Sequence, residues 1–289
     1  MVTRDVGNVM PQKEKLLAAP VTRKLAEPKL YDELQIPLTL YLPLNMSFYE
    51  QSKRGIVSAP LSPDNKPKFE MTLQEWLGFR RNRDGLRPAA SADCLLNELL
   101  TNSSNQNILR TSARTLFTFC ARIETISCTA IVNAANESLL GGGGVDFAIH
   151  NASGPLLLRE CAQFSDGCEV GGAVITKGYD LPSDFVIHTV GPILQDNGEP
   201  DDDALSRCYV SCLALCDENG IEDVVFPGIS MGFYGFPWPR ATKVAVDAVV
   251  GYFEEHPTSS VKVVGFCGYE NEHVKLFREL FESLKSRET

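Results

Sequence analysis

Two patterns of apolar and polar positions divide the chain. From about Thr111 onward, short apolar runs alternate with longer segments in which apolar positions recur every three to four residues. The short runs at 115–120, 129–134, 172–179, 185–190, 223–229 and 261–267 predict β-strands. The longer segments at 203–219, 239–255 and 270–285 predict helices, and another helix is predicted to open near Val145. Gly220 ends the first of these, and Leu181-Pro182-Ser183 turns the chain between two strands. Strands alternating with helices predict an α/β fold with a mostly parallel sheet covered on both faces.

Upstream the pattern weakens. Nine of the seventeen prolines fall in the first 90 residues. This predicts a Pro-rich N-terminal extension, residues 1–110, followed by one domain, residues 111–289. Within the extension, Thr72-Leu73-Gln74-Glu75 reads as a capping box opening a short helix through Trp76 and Phe79. A second helix is predicted at 92–100. Apolar stretches such as 38–44 lead us to expect that the extension packs on the core.

Composition adds exclusions. The 289 residues are 44% hydrophobic and 22% charged, as in an ordinary globular protein. No run of 18 apolar residues occurs, and the N-terminus lacks the long apolar core of a secretory signal. We therefore expect no membrane partner and an intracellular protein of the cytoplasm or nucleus, with the mitochondrion left open. A net charge of −10 argues against a nucleic-acid-binding face. It leaves room for a small anionic ligand, because helix N-termini and backbone amides bind phosphate without lysine or arginine. Nine cysteines without a CxxC pair fit a reducing compartment. Cys208, Cys212 and Cys216 share one helix face and read as a buried stripe rather than a metal set. A monomer is expected.

The chemistry concentrates in IVNAANESLLGGGGVDFAIH, residues 131–150. Asn133 and Asn136 follow an apolar run, four glycines occupy 141–144, and Asp146 and His150 lie one helical turn apart. Glycines let the backbone approach a ligand and aim N–H groups at an anion. Singly, each feature has an ordinary reading: a helix-capping acid, a satisfied core histidine, a flexible loop. Their conjunction within twenty residues points to a ligand site. If Asp146 sits at the positive end of a helix, it is favoured as an anion and is a weak proton acceptor. A second glycine loop, FPGISMGFYGFP at 226–237, also follows a strand, and Phe233 or Tyr234 could cover a sugar. Two such loops imply a ligand with several phosphates or a long nucleotide. Phosphate-loop, GxGxxG and HExxH signatures are missing.

NAANESLLGGGGVDFAIHNASG, ITKGYDLPSDFVIHTVGP and FPGISMGFYGFP together resemble the macrodomain family, nearest to its MacroD type, over about residues 111–284. The resemblance implies a three-layer α/β/α fold with a mixed, roughly six-stranded sheet and a cleft for ADP-ribose. It implies a hydrolase that removes mono-ADP-ribose from acidic residues of proteins and deacetylates O-acetyl-ADP-ribose, without metal or cofactor. ADP-ribose and mono-ADP-ribosylated proteins would then be the partners. Asn136, Asp146 and His150 would be catalytic, with either Asp146 or the substrate's own pyrophosphate activating water. Ligand contacts would come from Ile123, Asn133, Ala135, Gly142, Gly143, Gly144, Val145, Ser230, Met231, Gly232, Phe233, Tyr234 and Phe266. The rival readings are a binding module without catalysis and an ADP-ribose 1″-phosphatase. One position departs from the family: Arg122 stands where an adenine-binding Asp is usual, and it cannot accept a hydrogen bond. Ile123 can still pack on adenine. Looser recognition, Glu124, or stacking on Arg122 or Phe266 are the alternatives.

Overall fold

Seven strands form one mixed sheet in the order β1-β2-β7-β6-β3-β5-β4. They are β1 (Ile108–Arg110), β2 (Thr115–Cys120), β3 (Ala130–Ala135), β4 (Ala173–Lys177), β5 (Phe185–Val190), β6 (Asp223–Pro227) and β7 (Val263–Gly268). In the computed structural model, residues 68–83, 107–111, 113–194 and 198–286 are described, all within one unit of the chain, Leu44–Thr289. The helix predicted at 92–100 and the apolar stretch 38–44 lie outside the described residues.

The five inner strands run parallel, and the two edge strands β1 and β4 pair antiparallel with β2 and β5. β5, β6 and β7 are buried at every residue, which is why they read as continuous apolar runs rather than as alternation. The sheet has one strand more than expected. β1 is only three residues long, too short to show a period in sequence.

Six helices complete the described fold: α1 (Leu73–Arg83), α2 (Gly144–Ser153), α3 (Pro155–Cys161), α4 (Asp202–Glu218), α5 (Trp238–Glu255) and α6 (Asn271–Lys285). α4 packs on β4, β5 and α5, while α6 packs on β1, β2 and β7. α2 packs on β3, and α3 on β4. Cys208, Cys212 and Cys216 are fully buried on the inner face of α4, as the spacing indicated. None of the described helices is long and apolar enough to cross a membrane.

The capping box at α1 forms: Thr72 N–H donates to Glu75 Oε2 at 2.7 Å and Glu75 N–H to Thr72 Oγ1 at 3.2 Å. Its helix is fixed to the β4–β5 turn. Trp76 is fully buried and its Nε1 donates to Asp184 O at 2.8 Å. Arg80 donates to Asp184 Oδ1 and to the carbonyls of Tyr179, Leu181 and Pro182. Lys177 Nζ reaches Met71 O at 3.0 Å while pairing with buried Glu160 at 2.6 Å.

Candidate active site

The sheet splits at its carboxyl end. β3 pairs with β5 over six residues but with β6 only at Ala130 and Ile131. Beyond that point the ends of β3 and β6 part, and a glycine-bearing loop follows each. A crevice at the carboxyl ends of parallel strands is the usual ligand position in an open α/β sheet.

Asn136 shapes the first loop. Its Oδ1 accepts from Ser138 N–H at 3.1 Å and from Ser138 Oγ at 2.7 Å, and its Nδ2 donates to Gly141 O at 2.9 Å. Gly143 is the N-cap of α2 and supplies no side-chain cap, so the first-turn N–H groups are presented for an anion. A Cβ on Gly142 would stand 2.9 Å from Asp146 Oδ2 and 3.1 Å from Asn136 Nδ2. An acceptor and a donor therefore face the same small space, which only glycine leaves open.

Asp146 lies in the first turn of α2 and is 3% exposed. Its Oδ1 accepts from Asn133 Nδ2 at 2.7 Å and sits 3.4 Å from His150 Nε2. Burial raises the carboxyl above the usual range, and the Asn133 bond and His150 offset part of that rise. This corrects the expectation of a weak acceptor at a helix end: desolvation is the largest influence, so Asp146 holds a proton better than an exposed acid. Burial lowers the His150 imidazole, against the pull of Asp146. His150 is thus mainly neutral at pH 7.

The second loop turns at Ser230, whose φ of 61° is unusual for a residue with a side chain. Phe236 N–H donates to Ser230 O at 3.0 Å, and Trp238 Nε1 to Met231 O at 2.8 Å, which hold the loop in shape. The two aromatics at its tip separate cleanly. Phe233 is fully exposed and Tyr234 is half-buried. Burial and the carboxylates of Glu137 and Asp146 raise the Tyr234 phenol.

Two expected ligand contacts are corrected. The Asn133 side chain is fully buried, and its amide nitrogen is engaged by Asp146 and by His188 Nδ1 at 3.1 Å. It holds the site from behind. Phe266 is 1% exposed and stacks on Phe277 with ring centroids 4.5 Å apart, so it is core. The exposed aromatic at that end is Tyr269, directly after β7 and 79% exposed. Its carbonyl lies 3.5 Å from Cys120 Sγ, beside the turn carrying Arg122 and Glu124. There Arg122 Nε donates to Glu124 Oε1 at 2.7 Å, with the Arg122 side chain exposed and Glu124 buried. Ile123 is buried between them. The remaining expected residues lie on the two glycine-bearing segments: Asn136, Gly142, Gly143, Gly144, Val145, Asp146 and His150 on the loop after β3 and on α2, and Ser230, Met231, Gly232 and Tyr234 on the loop after β6, with Ala135 the last residue of β3.

His150, Cys161 and His188 bring donor atoms within 4.8 Å of one another. Their protons argue against an ion there. Asn133 Nδ2 donates to His188 Nδ1, so the proton of this neutral ring is on Nε2, facing Thr176 Oγ1 at 2.9 Å and Cys161 Sγ at 3.7 Å. Burial holds the His188 pKa down at about 3 and pushes the Cys161 thiol far up. Sequence reasoning missed His188. Its signal was one ionisable residue inside the apolar run FVIHTV.

Residues 132–245 match the family described as Macro domain. An O-acetyl-ADP-ribose deacetylase of Pantoea vagans is 47% identical over 161 residues, covering 55% of this chain and 93% of that protein. The chain belongs to the macrodomain family. The human ADP-ribose glycohydrolase MACROD2 is 45% identical over 159 residues, which cover 54% of this chain and 37% of that longer protein. Among solved structures, the Trypanosoma brucei macrodomain in complex with ADP-ribose has a TM-score of 0.61 and 33% identity, covering 79% of this chain and 94% of the other. A macrodomain from Oceanobacillus iheyensis with ADP has a TM-score of 0.59 at 33% identity, covering 62% and 96%. These relatives place this macrodomain with the MacroD type.

Proposed function

We propose that this macrodomain is a hydrolase that releases mono-ADP-ribose from ester linkages to Asp or Glu of proteins and deacetylates O-acetyl-ADP-ribose. The observation that carries this reading is the convergence of Asn136 Nδ2 and Asp146 Oδ2 on the space above Gly142. A ribose hydroxyl in that space would accept from Asn136 and donate to Asp146. The raised Asp146 carboxyl can also take a proton from a water held beside the ester. Addition of that water breaks the ester, giving free carboxylic acid and a ribose hydroxyl. His150, neutral, stands with Nε2 3.4 Å from Asp146 Oδ1 without a hydrogen bond to it and shields the carboxylate from that side.

The first-turn N–H groups of α2 and the 228–237 loop supply fixed dipoles for the pyrophosphate. Tyr234 covers the distal ribose. At the far end Glu124 is a buried acceptor whose Oε1 is held by Arg122, leaving Oε2 for the adenine amine, and Tyr269 offers a stacking face. Every catalytic function in this reading falls to side chains and backbone of the chain itself. β1 (Ile108–Arg110) and α1 (Leu73–Arg83) pack in the same core as the later strands, so the proposal counts them with the hydrolase domain and not with the extension expected to end at residue 110.

The test is to incubate the folded protein with a carboxylate-linked ADP-ribosylated protein, with O-acetyl-ADP-ribose and with ADP-ribose 1″-phosphate. Release of ADP-ribose from the first and of acetate from the second is expected. Binding of ADP-ribose without release would make the protein a reader. Phosphate release alone would make it a phosphatase.

A further inference from the structure

We propose that His188 is a positioning residue for this site: through Asn133 it sets the direction of the Asp146 carboxylate, although it never touches the ligand. The inference rests on the hydrolase reading for its kinetic consequences and on geometry for its mechanism. Parallel register places His188 on β5 opposite Asn133 on β3, so the two side chains stand on the same face of the sheet. Asn133 has two amide hydrogens. One goes to Asp146 Oδ1 at 2.7 Å and the other to His188 Nδ1 at 3.1 Å.

This allocation gives the network a single direction. His188 accepts at Nδ1 and donates from Nε2 to Thr176 Oγ1 at 2.9 Å, and the Thr176 hydroxyl donates to Val186 O at 3.4 Å. The chain of donors therefore starts at Asn133 and runs both ways, into the sheet and into the active site. A side chain at 188 that cannot accept removes one of the two acceptors that fix the Asn133 amide nitrogen and leaves only the Asp146 carboxylate to hold it. If the amide turned over, its oxygen would face a carboxylate oxygen that now lies 2.7 Å from its nitrogen. Asp146 would have to gain a proton or swing away, and Oδ2 would leave the space above Gly142. The buried environment makes this expensive, because Asn133 and His188 are both shut off from solvent.

The experiment compares the full chain with His188→Leu and His188→Asn. Asparagine presents an oxygen where Nδ1 stood, and leucine fills the space without an acceptor. With O-acetyl-ADP-ribose as substrate, His188→Leu is expected to lower kcat at least tenfold. Its Kd for ADP-ribose, by calorimetry, should stay within threefold of wild type. His188→Asn is expected to recover kcat to within threefold of wild type, whatever its Tm. Equal loss in both variants, wild-type kcat in His188→Leu, or activity that simply follows Tm would overturn the proposal. Should His188→Leu not fold, Thr176→Val removes the acceptor for Nε2–H, and kcat is expected to fall at least threefold; an unchanged kcat would overturn it. If the wild-type protein cleaves neither ester, the hydrolase reading fails by itself. The Asp146 titration, followed by carbon-13 NMR, then decides the positioning role. It should move upward in His188→Leu and return in His188→Asn, and no movement would refute it.

Discussion

Asn136 and Asp146 converge on one point. The Asn136 amide nitrogen and Asp146 Oδ2 lie 3.1 and 2.9 Å from where a Cβ on Gly142 would stand. They arrive from different directions, one from the turn after β3 and one from the first turn of α2. Gly142 has no positive φ to demand glycine, so the need for it is the space itself. Gly142→Ala is therefore expected to lower kcat/KM for O-acetyl-ADP-ribose at least tenfold, with little change in Tm because the position is exposed. Activity within twofold of wild type would show that the space is not where the ligand reacts.

Asp146→Asn separates catalysis from stability. The asparagine still accepts from Asn133 through its oxygen but carries no charge and cannot take a proton. Hydrolysis should drop by at least tenfold. Because burial raises the Asp146 pKa, ionised Asp146 is less favourable in the folded protein than in the unfolded chain. The variant is thus expected to melt above wild type at pH 7–8. A lower Tm across that range would contradict the burial argument.

The pH dependence follows with its sign. A raised folded pKa means that the stability linked to Asp146 is fully present below its unfolded pKa, 3.8, and is lost as pH rises through the folded value. The Tm gap between Asp146→Asn and wild type should therefore narrow as pH falls towards 4. Activity runs the other way, since the anion is the working form. The acid limb of kcat should fall at a pH above that of an exposed carboxylate, near 3.9. An acid limb below pH 4 would remove Asp146 from the acceptor role.

How much of this was legible beforehand depends on the range of the interaction. The capping box Thr72–Glu75 and the cysteine stripe of α4 are local, and the sequence carries them whole. Asp146 and His150 on one face of α2 follow from helical spacing. The raised Asp146 pKa does not follow, because it depends on how deeply the first turn of α2 is buried against β3. Asn133 and Phe266 were expected as ligand contacts from the family resemblance. Strand register puts their side chains into the core instead, where Asn133 meets His188 and Phe266 meets Phe277. That choice of face is a tertiary decision, and a one-residue shift reverses it. Tyr269 escaped notice because it falls in the short gap between the predicted strand 261–267 and the predicted helix 270–285, and its exposure is set by tertiary packing.

The second loop offers a paired test. Tyr234 is half-buried and its phenol is raised in part by the carboxylates of Glu137 and Asp146, whereas Phe233, next to it, is fully exposed. Tyr234→Ala is expected to weaken ADP-ribose binding about tenfold, roughly the 1.4 kcal/mol of one aromatic contact. Phe233→Ala should leave Kd within twofold. A reversed order in calorimetric titration would mean that the loop presents the other ring to the sugar.

The helix before the sheet gives a prediction of stability without chemistry. Trp76 is fully buried against the β4–β5 turn, stacked on Phe79 with centroids 5.6 Å apart and tied to Asp184 O. Arg80 on the next turn of the same helix crosses to Asp184 Oδ1 at 3.1 Å, with both side chains mostly shielded from solvent. Removing a buried indole costs about 3–5 kcal/mol, from lost transfer energy and the cavity left behind. Truncating Arg80 is also costly, because the carbonyls of Tyr179, Leu181 and Pro182 lose its guanidinium together with the Asp184 ion pair. Trp76→Ala and Arg80→Ala should each lower Tm markedly, yet neither residue is near Asp146, so kcat of the protein that remains folded should stay within twofold of wild type. Thermal melts paired with initial rates at 20 °C check both halves. A fall in kcat at unchanged Tm would show instead that α1 acts on the site.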